Sequence, residues 1–210
     1  MSKYAYLGPA GTFTEAALKT ITTASDQTTP YANVTATLDA VRSGQAEFAL
    51  VPIENSVEGV VARTLDELAI GDPLVIVNEV TLPVEFSLLA RDKNAEIKKI
   101  ATHPHAEAQC RSFIAKNYPN AEIIVTSSTA AAAEELSKGL YDAAIAAKNA
   151  AENYNLVVLT ENIGDNGGAV TRFVLVGKPG PVGKSTGHDR TTLAAFIGAD
   201  RKSTRLNSSH

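Results

Sequence analysis

Short apolar runs alternate with polar, glycine-marked turns along most of the chain, and the spacing predicts an α/β protein. Tyr4-Ala5-Tyr6-Leu7 is a buried strand that ends in the turn Gly8-Pro9-Ala10-Gly11-Thr12-Phe13-Thr14, and a helix follows from Glu15. Thr12 or Thr14 can cap that helix, and Glu15 suits the positive end of its dipole. Thr35 to Val41 is a capped helix with Gly44 near its end, and Phe48-Ala49-Leu50-Val51 is a buried strand. A polar loop, Pro52 to Gly59, leaves that strand, and a helix from Val60 to Leu68 follows with Val61, Leu65 and Leu68 on one face. Leu74–Val77 and Val84–Ala90 are strands, with Glu79–Pro83 as a crossing segment between them.

The strand–helix alternation then restarts, which predicts a second lobe. Ile97–Ala101 is a strand leading into a helix with Pro104 in its first turn. Ile123–Val125 is a strand, Ser127-Ser128-Thr129 a capping cluster, and Ala130–Leu136 an alanine-rich helix that packs closely. Tyr141–Ala146 is a strand, Ala147–Ala150 a helix start, and Leu156–Leu159 another strand. Last comes a glycine-rich turn from Gly164 into the strand Phe173-Val174-Leu175-Val176.

Size and charge narrow the picture. The chain has 210 residues, 44% of them hydrophobic, enough for one large domain or two lobes with their own cores. No apolar run is long enough to span a bilayer, and Met1-Ser2-Lys3-Tyr4 enters a strand without a secretory pattern. A lone cysteine, Cys110, forms no internal disulfide and fits a reducing, cytoplasmic setting; on its helix it reads as a buried small residue. The formal charge is −4, and the segment 201–210 holds three cations and no acid, so the rest is more acidic still. An acidic body argues against nucleic acid or an anionic membrane as partner. Residues 179–187 read as a linker, 188–200 as the start of a further domain, and 201–210 as a non-native tail.

Four stretches carry chemistry. The turn Gly8–Thr14 offers N–H groups at a helix start, where an anion can sit, although its glycine spacing is neither a dinucleotide nor a P-loop signature. The Pro52–Gly59 loop leaves the carboxyl end of a strand, where open α/β sheets hold ligands; Asn55 and Ser56 there can donate to a carboxylate or cap the next helix. His103 and His105 would diverge on a helix and make a poor metal pair without a third ligand; contact with substrate or a neighbouring lobe suits them better. Thr171 and Arg172 begin the last strand. Neighbours on a strand point to opposite faces, so both serve one site only if the strand starts at a cleft edge or bends there.

Taken together, Gly8-Pro9-Ala10-Gly11-Thr12-Phe13-Thr14, Pro52-Ile53-Glu54-Asn55-Ser56-Val57-Glu58-Gly59, His103-Pro104-His105-Ala106-Glu107-Ala108-Gln109-Cys110 and Thr171-Arg172-Phe173 resemble prephenate dehydratase in order and spacing. Ala169 stands where many members carry an Asn. The resemblance implies a two-lobed α/β catalytic domain over residues 1–178, similar to type 2 periplasmic-binding folds, with the active site in the cleft. Lobe 1 would take residues 1–80 and 160–178, and lobe 2 residues 81–159. The implied reaction turns prephenate into phenylpyruvate, carbon dioxide and water, with no cofactor and no metal. It implies Thr171 as the catalytic group. Ala10, Gly11, Thr12, Phe13, Asn55, Ser56, Arg172 and Phe173 would bind substrate, with His103 and Gln109 as further contacts. Arg172 would pair with a carboxylate and Phe173 would wall the cleft, whereas Glu54 and Glu58 would be structural. The family assembles as dimers or tetramers and usually continues into a phenylalanine-binding ACT domain. Only its first strand is expected here, so phenylalanine feedback is not. The alternatives are an arogenate dehydratase and a non-catalytic carboxylate-binding module.

Overall fold

Strand after strand in the computed structural model is short and feeds a helix, as the apolar runs predict. The structure describes residues 1–180 together with Gly187, Asp189 and Thr191. The strand expected after Arg190, the ACT start at 188–200 and the tail at 201–210 lie almost wholly outside the described residues, as does most of the linker. In chain order the strands are β1 (Lys3–Leu7), β2 (Gln27–Tyr31), β3 (Phe48–Asn55), β4 (Gly59–Val60), β5 (Val75–Pro83), β6 (Phe86–Ala90), β7 (Lys99–Thr102), β8 (Glu122–Val125), β9 (Ala143–Ala147), β10 (Val157–Thr160) and β11 (Val170–Gly177). The helices are α1 (Phe13–Lys19), α2 (Val34–Arg42), α3 (Ala62–Ile70), α4 (Pro104–Gln109), α5 (Arg111–Asn117), α6 (Thr129–Ser137) and α7 (Asn149–Tyr154).

The strands form two sheets of one design. The first has the order β2-β1-β3-β11-β5, with β4 paired to the end of β3. The second, read from its far edge, is β8-β7-β9-β6-β10. In each of these five-strand orders four strands run the same way, and the fourth strand in the order, β11 or β6, runs opposite to them. The chain leaves the first sheet through Val84-Glu85 and returns between Thr160 and Val170, so β11 completes the sheet in which the chain began.

Burial explains the central strands. β6 and β9 are buried at every residue, so they read as continuous apolar runs rather than alternating ones. In α6, Ala130, Ala132, Ala133 and Leu136 are buried, and small side chains bring the helix close to the sheet. Phe13 is half-buried and packs against the cores of both lobes.

Several elements differ from the sequence expectation. The edge strand β2 has no apolar pattern and went unpredicted; Pro30 is tolerated there because an edge strand need not donate on both sides. Glu79–Pro83 is not a separate crossing segment but the second half of β5. Pro52–Asn55 belongs to β3 rather than to a loop, because β11 supplies its hydrogen-bonding partners. The helix expected from Val60 starts at Ala62, and its buried residue is Thr64, whose hydroxyl donates to the Pro52 carbonyl at 2.7 Å, while Leu65 is exposed.

Candidate active site

The carboxyl ends of the parallel strands in the two sheets meet around one cavity of about 280 Å³. Phe13 comes from α1, Asn55 and Glu58 from the end of β3 and the turn after it, and Thr171 from the start of β11. The other lobe supplies His103, His105, Ala106 and Gln109 after β7, and Ser127, Ser128 and Thr129 after β8. Val84 and Phe86 form the wall between the lobes. A larger cavity of about 490 Å³ lies beside the same crossing segment. It is lined by Pro83–Phe86, Asn162 and the Gly164–Val170 turn, and it holds none of the hydroxyl, imidazole or helix-start groups. The chemistry therefore converges on the smaller cavity.

A β-bulge explains why Asn55 faces it. Opposite β11, the register of β3 shifts between Arg172 and Phe173, so that Arg172 pairs with Glu54 while Phe173 pairs with Pro52. One extra residue in β3 reverses the alternation beyond it. Val51 and Ile53 pack in one core with Val174 and Val176, while Asn55 is brought opposite Thr171 on the other face.

There the Asn55 side-chain amide donates to the Thr171 hydroxyl at 2.8 Å. The Asn55 side-chain oxygen accepts from the backbone N–H groups of Val57 and Glu58, at 2.8 and 2.9 Å. Those two donors settle which end of the amide faces Thr171. A threonine hydroxyl that accepts from an amide keeps its own proton for another acceptor. Thr171 is 8% exposed and lines the cavity.

Arg172 points the other way. Its guanidinium is paired with Glu54 at 2.8 Å and Glu79 at 3.1 Å and does not line the cavity. The alternation of β11 puts it on the face away from Thr171. Phe173 is 1% exposed and packs among Tyr6, Leu50 and Leu175 in the core. Ser56 accepts from the Val170 N–H at 3.0 Å and donates its own N–H to the Val170 carbonyl at 2.9 Å, so it zips β11 to the turn. Neither Asn55 nor Ser56 caps α3, whose N-cap is Val61.

The Ala10-Gly11-Thr12 turn is not open to an anion. The Gly11 N–H donates to the Glu15 carboxylate at 2.6 Å. Thr12 caps α1, accepting from the Glu15 N–H. From the other lobe, Tyr154 donates to the Ala10 carbonyl at 2.8 Å, and Asn149 donates to the Thr12 carbonyl at 3.2 Å. Gly11 has φ +84°, and a Cβ there would stand 3.0–3.2 Å from Tyr154 and Ala150. The glycine thus serves close approach between lobes. Of this stretch, only Phe13 reaches the cavity, where it meets Phe86 edge-to-face at 5.5 Å.

His103 and His105 converge instead of diverging. His103 is the N-cap of α4 with extended backbone, so it is not yet on the helix; its Nδ1 accepts from the His105 N–H at 3.3 Å, and the rings meet at 4.9 Å. Burial, and then the His105 imidazole, lower the His103 pKa, while Glu58 opposes them. The His105 ring reaches across to Glu58 at 3.2 Å. Among the described residues, no group of three His, Cys, Asp or Glu side chains could hold a metal ion, and no helix is long and apolar enough to cross a membrane. Cys110 sits at the junction of α4 and α5, fully buried, and burial pushes its thiol up to about 12, so it is inert rather than reactive.

Sequence reasoning singled out Asn55, Thr171, Phe13, His103 and Gln109, all in the lining, but passed over Ser127–Thr129 as a cap. Ser128 does cap α6, accepting from the Ala131 N–H at 3.0 Å. The missed signal was its place at the carboxyl end of a parallel strand, the same place that singled out Asn55.

Fold and site together define a two-lobed α/β domain whose cleft is lined by neutral polar groups, two imidazoles and a helix start. The prephenate dehydratase family profile matches residues 4–181, and the chain belongs to that family. It is 48% identical over 196 residues to prephenate dehydratase of Amycolatopsis methanolica, covering 93% of this chain and 64% of that one. The crystal structure of prephenate dehydratase from Arthrobacter aurescens in complex with L-Phe is 47% identical, with a TM-score of 0.80, over 88% of this chain and 62% of that one. A 30% identical structure, described as a novel type of quorum quenching acylase (GqqA), has a TM-score of 0.73 over 86% of this chain and 65% of its own. The chain thus spans just under two thirds of the length of its first-named relative.

Proposed function

We propose that this chain carries out the decarboxylating dehydration of prephenate to phenylpyruvate, the step toward phenylalanine after which the family is named. A fold shared with an acylase does not by itself decide a reaction. The observation that carries the reading is the Thr171 hydroxyl, which lines the cleft and accepts from Asn55, leaving its own proton available to a ligand.

Prephenate bears two carboxylates and a ring hydroxyl. The bond from the ring to its carboxylate breaks, releasing carbon dioxide. The electron pair moves into the ring, and hydroxide leaves as the carbon–oxygen bond breaks, taking up a proton to become water. Aromatisation supplies the driving force. The protein has to bind, orient and stabilise the departing oxygen. Thr171 donates a hydrogen bond to that oxygen, and the bond strengthens as negative charge develops there. Phe13 and Phe86 flank the ring. Gln109, Ser127 and the open first-turn N–H groups of α6 receive carboxylate oxygens. Arg172, held by Glu54 and Glu79, is a positioning residue: it fixes the bulged start of β11 and thereby Thr171. Assembly as a dimer or tetramer is supported by β5, an edge strand that exposes Val75, Ile76 and Val77.

The test follows phenylpyruvate formation from prephenate by the purified chain. Turnover is expected, and Thr171→Val should cut kcat by about 100-fold while changing KM less than about twofold. Equal losses in binding and turnover would make Thr171 a positioning group. Neither product nor binding would overturn the reading in favour of a carboxylate-binding module. A parallel assay with arogenate is informative because Glu58 in the lining suits an ammonium group; preference for arogenate would reassign the substrate.

A further inference from the structure

The cleft is built for an anion, yet among the described residues lining it there is no lysine or arginine. Its one carboxylate, Glu58, would repel a dianion. The groups there able to become positive are the imidazoles of His103 and His105. Of these, His103 is the more buried, and its Nδ1 already accepts from the backbone. His105 lies further out and touches Glu58 through Nδ1.

Resting on the reading of this cleft as a prephenate site, we infer that His105 is the cation that receives a substrate carboxylate, and that Glu58 competes with the substrate for it. The pair is poised for exchange. Glu58 extends from the turn after β3, whose first residue, Asn55, holds Thr171, so the competitor and the catalytic group share one support. Both side chains are well exposed, at 61% for His105 and 40% for Glu58. Exposed pairs of this kind are weak and exchange partners readily. The other charged groups around His105 are accounted for: His103 meets it ring to edge, and Glu107 on the same helix is paired with Arg111 at 3.3 Å. His105 is therefore the group at which the Glu58 carboxylate and a substrate carboxylate compete.

Steady-state kinetics with prephenate test this on the full chain with His105→Gln, His105→Lys and Glu58→Gln. His105→Gln should raise KM by about five- to tenfold while kcat changes less than about twofold. His105→Lys should keep KM within about twofold of the wild type. Glu58→Gln should lower KM, opposite in sign to His105→Gln. If the two carboxamide variants move KM in the same direction, or if His105→Gln leaves KM unchanged, Glu58 and His105 are only a tie between lobes and the inference is wrong, while the proposed reaction stands. Loss of all prephenate turnover and binding in the wild type would instead overturn the reading of the cleft, and this inference with it.

Discussion

The two lobes touch along two seams of opposite character. Where α7 meets the β1–α1 turn, the contact is partly buried, made of amides, a carboxylate and close-packed backbone. Glu15 accepts from the Gly11 N–H and from the Asn153 side chain, Tyr154 donates to Ala10, and Gly11 sits against Ala150. At the mouth of the cleft, by contrast, one exposed pair, Glu58 and His105, spans the gap. If the first opened, the buried Glu15 carboxylate and the carbonyls of Ala10 and Thr12 would lose their partners from α7. The second consists of groups that water can solvate at once. Cost of opening, rather than number of contacts, separates a fixed edge from one able to admit a ligand. The fixed seam also bears on the Gly8–Thr14 turn, of which only Phe13 lines the cleft: the Gly11 N–H is taken by Glu15, and the Ala10 and Thr12 carbonyls accept from α7 of the other lobe.

The sharpest way to break this comparison is at Glu15. Both the Gly11 N–H and the Asn153 amide end on the same carboxylate oxygen, Oε2. Glu15→Ala leaves the buried Gly11 N–H without its acceptor and the exposed Asn153 amide without its partner, and should cost about 2 kcal/mol, read as a shift in the urea midpoint. Glu15→Gln keeps an oxygen for the same two donors and should cost about 1 kcal/mol. Equal losses for both would mean that charge, not satisfaction of the donors, holds the seam. Next in size is Tyr154→Phe, which removes the bond to the Ala10 carbonyl but leaves the ring against Gly11. About 1 kcal/mol is expected, and no measurable change would show that the seam rests on packing alone.

Much of the fold was legible because burial writes itself into apolar runs. β6 and β9 are buried throughout and stand out as such. β2 did not, since Gln27–Tyr31 lies at an edge and buries almost nothing. The site was legible in part. Asn55 and Thr171 were singled out one by one, but their pairing depends on a bulge in β3, and no residue type announces a bulge that contains no glycine. The adjacency of Thr171 and Arg172 invited a shared role that the strand period then divided: Thr171 faces the cleft, while Arg172 anchors Glu54 and Glu79 behind it. The convergence of His103 and His105 was hidden for a similar reason. The helix starts at Pro104, as that proline suggests, but the expected divergence supposed both imidazoles on the helix, whereas His103 is its N-cap, keeps an extended backbone and turns back toward its neighbour.

The smallest effect is the most discriminating for the open seam. Glu58→Gln should change folding stability by no more than about 0.5 kcal/mol, because an exposed pair gains little over two solvated groups. That small loss should vanish at high ionic strength, where exposed charges are screened. The backbone N–H of Glu58 still donates to Asn55 in this variant, so the turn and its grip on Thr171 are unaltered. Urea titrations of the wild type and Glu58→Gln at low and high salt would measure it. A loss as large as that of Tyr154→Phe would mean that the pair clamps the lobes together, and the distinction between a fixed seam and an opening one would collapse. A negligible loss, beside the larger costs at Glu15 and Tyr154, would place the lobes' attachment at α7 and leave the Glu58–His105 edge free to respond to what enters the cleft.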